Sequence, residues 1–346
     1  MAQTGNGTKG GTVLHGGDLD AARAAFPGAP EPWIDLSTGI NPWPYPLPDL
    51  PAEAWTRLPG AAAEERLRRT AARRYGAAGP DRVAAAPGSQ ALIQVLPRLR
   101  PPGRVAVAGP TYAEHARGWA AAGHAVATVA AVADAGDADV VVVVNPNNPD
   151  GRIVPPDEIL AVAERQAARG GWLVVDEAFA DVAPAASVAA AAGERQGLVA
   201  LRSFGKFYGL AGVRLGFALA EPVLAAAVRA AVGPWAVAGP ALAIGTAALE
   251  DDAWAQATRR RLADASAALD RRLTGGGLVV DGGTDLFRLI RDARAPALYR
   301  ALGRAGILVR RFPDRPDLLR LGLPADEDAA VRLSDVVRAA GTCFGG

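Results

Sequence analysis

Short apolar runs alternate with longer alanine-rich, charge-bearing stretches through the middle of the chain. This pattern predicts a mostly parallel sheet covered by helices on both faces. The five consecutive valines at 140–144 typify a strand buried on both sides, and similar runs predict strands at 104–108, 172–175, 198–202 and 215–219. Helix formers lying between Gly and Pro punctuation predict helices at 61–75, 90–96, 112–122, 156–169, 223–232 and 253–273. Glycines 275–277 then break the pattern, and strand-like runs at 286–290 and 307–311 flank a helix near 296–305. The expected fold class is α/β in three parts. An N-terminal arm occupies residues 1–50 and is proline-dense from 41 to 51, a large domain with the mostly parallel sheet occupies 51–250, and a smaller α+β domain occupies 251–346.

The chain of 346 residues has a formal net charge of +1, which leaves no basic surplus for a nucleic-acid backbone or an anionic membrane. The stretch 230–249 carries no charge, but glycines and prolines at 233, 234, 239, 240 and 245 interrupt it, so a buried loop and helix start is expected rather than a span. One cysteine and histidines scattered at 15, 115 and 124 give neither a disulfide framework nor a zinc pattern, and residues 1–12 lack an apolar signal core. The chain is expected to be cytoplasmic.

Only two of the 37 basic residues are lysines, Lys9 and Lys206. Lysine at 206 in an arginine-dominated chain suggests chemistry that arginine cannot do, namely a primary amine that loses its proton and forms a Schiff base. Lys206 stands in Ser203-Phe204-Gly205-Lys206-Phe207-Tyr208-Gly209, just past a predicted strand's carboxyl end, where open α/β sheets bind ligands. Ala200 and Phe207 occupy positions where a Walker phosphate loop needs glycine and Ser or Thr. The spacing of Gly209, Gly212 and Gly216 likewise misses the dinucleotide fingerprint.

Three of the five asparagines lie in Asn145-Pro146-Asn147-Asn148-Pro149-Asp150-Gly151, which leaves the Asn148 amide to face a ligand. Asp176 ends the next strand and could pair with a protonated cofactor ring nitrogen. Gly88, Ser89 and Gln90 open a helix whose N-terminus could hold a phosphate, with Ser203 and Arg214 adding contacts. Tyr112 could stack on a flat cofactor.

These residues together resemble the fold type I pyridoxal-phosphate enzymes of the class I/II aminotransferase superfamily. The matching motifs are Asn145 to Gly151, Asp176-Glu177-Ala178-Phe179, Ser203 to Gly209, Leu210 to Gly216, and Leu319-Arg320-Leu321-Gly322-Leu323-Pro324. The resemblance implies that Lys206 binds pyridoxal 5'-phosphate, Asp176 pairs with its ring nitrogen and Asn148 bonds its ring hydroxyl oxygen. It further implies that Tyr112 stacks on the ring, that Ser89, Gln90, Ser203 and Arg214 hold the phosphate, and that Arg320 binds a substrate carboxylate. Two positions depart from the superfamily: Phe179 stands where a tyrosine is common, and Leu58 replaces the tyrosine often found in Arg57-Leu58-Pro59-Gly60.

His15-Gly16-Gly17-Asp18 followed by Trp33-Ile34-Asp35-Leu36-Ser37-Thr38-Gly39-Ile40-Asn41-Pro42 is similar to the threonine-phosphate decarboxylases of cobalamin biosynthesis, relatives of the histidinol-phosphate aminotransferases. That resemblance implies a homodimer acting on a small phosphorylated amino acid. Arg310 would bind the substrate phosphate, and His15, Gly39 and Asn41 would face the substrate from the arm. Loss of carbon dioxide from O-phospho-L-threonine is the expected reaction, with transamination of histidinol phosphate or a related phosphorylated amine as the alternative. Which Cα bond stands perpendicular to the cofactor ring decides between them.

Overall fold

The computed structural model describes residues 16–343. Among these residues twelve strands form two sheets. They are β1 (Ile34–Leu36), β2 (Val83–Ala86), β3 (Arg104–Ala108), β4 (Ala125–Val129), β5 (Val140–Val144), β6 (Trp172–Asp176), β7 (Leu198–Ser203), β8 (Gly216–Leu219), β9 (Val280–Thr284), β10 (Phe287–Arg291), β11 (Ile307–Arg311) and β12 (Leu318–Gly322). The seven-stranded sheet runs β2-β8-β7-β6-β5-β3-β4, with β8 alone antiparallel to its neighbours.

Every position of β5 and β7 is buried, because helices cover both sides of the sheet. Val141 and Val143 pack into one apolar cluster while Val140 and Val142 pack into another, which is the two-residue period of a strand inserted between two helical layers. The continuous valine run is therefore a consequence of burial on both faces. The carboxyl ends of β5, β6 and β7 lie side by side and deliver Asn145, Asp176 and Ser203 to one edge of the sheet.

The second sheet runs β1-β11-β12-β10-β9. Its outer strand β1 comes from the proline-rich N-terminal region and pairs in parallel with β11, Ile34 opposite Ile307. The arm is thereby tied to the last quarter of the chain, next to the β11–β12 pair in which Arg310 stands opposite Arg320. The helix expected from 112 begins at Glu114, so Tyr112 lies in the loop before it. The uncharged stretch from 230 divides between the end of helix Pro222–Val232, a turn, and helix Gly239–Glu250. No helix among the described residues is long and apolar enough to cross a membrane.

A buried ion cluster ties β6 to β7 behind their carboxyl ends. Arg202 donates to Glu177 at 2.7 Å and pairs with Asp181 at 2.7 Å, and its guanidinium lies 4.5 Å from the Tyr75 ring centroid. One arginine thus bridges two carboxylates, which keeps the segment after Asp176 folded against the next strand.

Candidate active site

Asp176 is 3% exposed, and its Oδ2 lies 2.8 Å from His115 Nε2, while its Oδ1 accepts from the Ala178 amide at 3.0 Å. Both oxygens of this buried carboxylate therefore have hydrogen-bond partners. His115 was missed as a site residue in the sequence because its partner is 61 residues away. The available signal was its position three residues after Tyr112, which lies edge-on to it with ring centroids 6.2 Å apart.

The three asparagines after β5 divide their work. Asn145 bonds both the N–H and the C=O of Val154, and Asn147 accepts from Thr111 and donates to Pro110 and Asp150, so both hold the loop itself. Asn148 accepts from Arg320 Nη1 at 2.5 Å, and its amide nitrogen has no protein acceptor among the described residues. It is the asparagine that can donate to a bound ring oxygen. Tyr112 donates to Gln90 at 3.1 Å, which fixes its ring beside His115 at the opening of helix Ser89–Val95.

Lys206 lies in the short helical turn Phe204–Phe207 immediately after β7. Its carbonyl accepts from the Asn41 amide at 2.9 Å, and the Asn41 side chain donates to the Phe207 carbonyl at 2.9 Å. Asn41 thus clamps the lysine turn to the arm. Burial, and next the charge of Arg320, push the Lys206 ammonium down to about 8, against an opposing pull from Asp176. A substantial fraction of neutral amine is therefore present near physiological pH, as a carbonyl-attacking lysine requires.

Gly88, Ser89, Ser203 and Arg214 come together where β7 and β8 end and begin. A Cβ on Gly216 would stand 2.3 Å from the Ser89 nitrogen, and one on Gly88 would stand 2.5 Å from Arg214 Nη2. The two glycines let the Ser89 backbone and the Arg214 guanidinium approach the chain closely. Gly88 also has φ +84, a conformation that disfavours other residues.

Arg310 and Arg320 face each other across β11 and β12 on the same side of the sheet. Arg320 is buried and donates to Asn148 and to the Ser37 carbonyl, at 3.0 Å for the latter, while its Nε has no partner. Burial and the neighbouring Arg310 lower it to about 10, so it stays charged at neutral pH, and burial lowers Arg310 as well. Among the described residues neither arginine, nor Lys206, nor Arg214 forms an ion pair with a carboxylate. The site therefore holds four cationic groups and awaits anions. Gly39 packs against Phe179 and Phe287, and His15 lies outside the described residues.

The sequence profile of "Aminotransferase class I and II" matches residues 51–332. The chain is 49% identical to a threonine-phosphate decarboxylase of Pseudomonas aeruginosa over 92% of its own length and 95% of that protein's. It is likewise 49% identical to one from Sinorhizobium, covering 94% of this chain and 97% of the relative. In fold it superposes on a histidinol-phosphate aminotransferase of Sinorhizobium meliloti, solved in complex with pyridoxal-5'-phosphate, with TM-score 0.80 at 19% identity over 96% of both chains.

Proposed function

The chain belongs to the class I and II aminotransferase family, and on that premise we propose that it converts O-phospho-L-threonine into (R)-1-aminopropan-2-ol phosphate and carbon dioxide, as a cytoplasmic homodimer in cobalamin biosynthesis. Its cofactor is pyridoxal 5'-phosphate, and the residues present fit that group. The backbone at Gly88 and Gly216 admits no Cβ, Arg214 lies against Gly88 with no carboxylate partner among the described residues, and the one lysine of the site is depressed to about 8. When bound, the cofactor supplies a conjugated, protonated ring that can take up an electron pair released at the substrate's Cα.

The chain's own residues divide the remaining tasks. Asp176, held by His115, would keep a proton at the ring nitrogen, and Asn148 would donate to the ring oxygen. Gly88, Ser89, Gln90, Ser203 and Arg214 would hold the cofactor phosphate, and Tyr112 would stack on the ring. Arg320 would bind the substrate carboxylate and Arg310 its phosphate. Loss of carbon dioxide breaks the bond from Cα to the carboxylate and leaves its electron pair behind, so one proton must be delivered to Cα. Lys206 Nζ, held near 8, can deliver that proton at neutral pH and take a new one from solvent for the next cycle.

The observation that carries the substrate reading is the Arg310–Arg320 pair, two guanidinium groups in register that call for a ligand with two anionic groups. Histidinol phosphate has a phosphate but no carboxylate, and would leave Arg320 without an anion while bound. Support for loss of carbon dioxide comes from the 49% identity to decarboxylases over nearly the whole chain. The test of the substrate reading compares binding of phosphothreonine and threonine to the cofactor-loaded protein. Arg310→Met is expected to weaken phosphothreonine by about 10- to 100-fold and threonine hardly at all. An equal loss for both ligands would contradict the assignment.

Support for the homodimer lies in Leu47, Trp55, Leu58 and Trp235, which are 64%, 68%, 69% and 57% exposed. The backbone at Ala54 abuts Gly239, and Pro59 lines a cavity with Trp235, which brings Trp55, Leu58 and Trp235 to one side of the molecule. Light scattering that reports a monomer would contradict the dimer.

A further inference from the structure

We propose that Phe179 and Phe287 act as a positioning dyad, a pair of rings that supports Lys206 and Arg320 together and so fixes where the substrate carboxylate is held relative to the lysine. The rings pack edge to face, with centroids 5.0 Å apart and planes at 75°. Lys206 Nζ lies 5.8 Å from the centroid of Phe179, and Arg320 Cζ lies 4.9 Å from that of Phe287. Each ring therefore bears one of the two cations. Both rings are buried, Phe179 at 4% and Phe287 at 0% exposure.

The arm closes the arrangement from the third side. A Cβ on Gly39 would stand 2.9 Å from Phe179 Cε1 and 2.9 Å from Phe287 Cδ1, so the backbone there is seated against both rings at once. Phe287 is further fixed by its place on β10 opposite Gly322 of β12, two residues beyond Arg320. Phe179 follows Asp176 by three residues, in the segment that Arg202 ties down through Glu177 and Asp181.

The physical reason for aromatic residues here is charge. Lys206 and Arg320 repel each other, and no carboxylate among the described residues forms an ion pair with either. The negative faces of the rings offer attraction without adding an anion that would compete with the substrate's own carboxylate and phosphate. A leucine could fill much of the same space but would present no such face. If the dyad holds Arg320, it also holds the carboxylate that Arg320 binds, and the direction of that carboxylate governs whether carbon dioxide or a proton leaves Cα. This deepens the decarboxylase reading and rests on it.

The test uses Phe179→Leu, Phe287→Leu and, as a ring-retaining control, Phe179→Tyr. Methionine variants at both positions serve if a leucine variant fails to fold. The cofactor-loaded proteins are given O-phospho-L-threonine, and carbon dioxide and pyridoxamine phosphate are counted per turnover. Phe287→Leu is expected to raise the share of pyridoxamine phosphate about tenfold. A second readout needs no turnover: cofactor-free protein is acetylated with acetic anhydride across a pH series and Lys206 is followed by mass spectrometry, with Lys9, the only other lysine, as internal reference. Phe179→Leu is expected to lower the Lys206 midpoint by about half a unit, because a ring face favours the ammonium, and Phe179→Tyr is expected to restore it. Folded leucine variants with wild-type partition and wild-type midpoint would overturn the dyad while leaving the decarboxylase reading intact. A wild-type protein that releases no carbon dioxide would sink that reading instead, and the lysine midpoints would still decide whether Phe179 supports Lys206.

Discussion

Two glycines in one short motif should respond in opposite ways to the same substitution. Gly216 opens β8, between Ala86 of β2 and Ser203 of β7, and an added Cβ would stand 2.3 Å from the Ser89 nitrogen and 2.7 Å from the Gly88 carbonyl carbon. Ordinary contact begins at 3.4 Å, and both atoms are backbone, so Gly216→Ala must displace the 88–89 segment by about 1 Å. Overpacking of this kind costs about 1–3 kcal/mol, or of the order of 5 °C in unfolding midpoint. A shift of that size in groups that surround a phosphate is expected to weaken cofactor binding by about 100-fold. Gly212, four residues earlier, has nothing within 4 Å of its Cβ position, so Gly212→Ala should bind cofactor as the unmodified chain does and gain about 0.4–1 kcal/mol of stability from reduced unfolded-state freedom. Titration of cofactor-free protein with pyridoxal 5'-phosphate, followed by absorbance alongside a thermal melt, measures both quantities. A folded Gly216→Ala that binds within threefold of the parent, or a Gly212→Ala that loses as much, would refute the placement of the cofactor phosphate beside Gly88 and Ser89.

Three further outcomes follow from the buried charges. Because Lys206 titrates near 8 rather than 10.5, cofactor association should accelerate with pH up to about 8 and then level off, and a midpoint near 10.5 would contradict the burial argument. The same depression means that between about 8 and 10.5 the unfolded lysine holds a proton that the native one lacks. Cofactor-free protein should therefore gain stability with rising pH in that window, a slope that Lys206→Met should remove. Arg202→Met would leave Glu177 and Asp181 buried without their cation and should cost about 3–5 kcal/mol in urea unfolding, whereas a cost below about 1 kcal/mol would mean the cluster is solvated.

Much of the large sheet was legible in the chain because burial on both faces leaves an unbroken apolar run. The strands at 104–108 and 140–144 match β3 and β5 residue for residue, as the run at 307–311 matches β11 of the second sheet. Strand β2 escaped because Val-Ala-Ala-Ala carries little strand preference of its own and is held by its pairing with β8. Strand β4 escaped because, at the sheet's edge, none of its residues is fully buried and the pattern fades. Strand β1 is three residues long and pairs with β11, a contact that no local pattern can announce. The site shows the same division. Lys206, Asp176 and Asn148 stood out through residue usage or place after strands and Arg214 through its spacing from Lys206, whereas His115 and Phe287 acquire their contacts only from partners that folding brings to them. Asn41 was expected to face substrate, and the structure shows its amide engaged with the lysine turn.

What leaves the substrate first decides the reading as a whole. Cofactor-loaded protein supplied with O-phospho-L-threonine, with carbon dioxide and pyridoxamine phosphate quantified together and Lys206→Ala as control, should release many equivalents of carbon dioxide per site, and the control should release none. Pyridoxamine phosphate accumulating without carbon dioxide would contradict the decarboxylase and assign the chain to amino-group transfer.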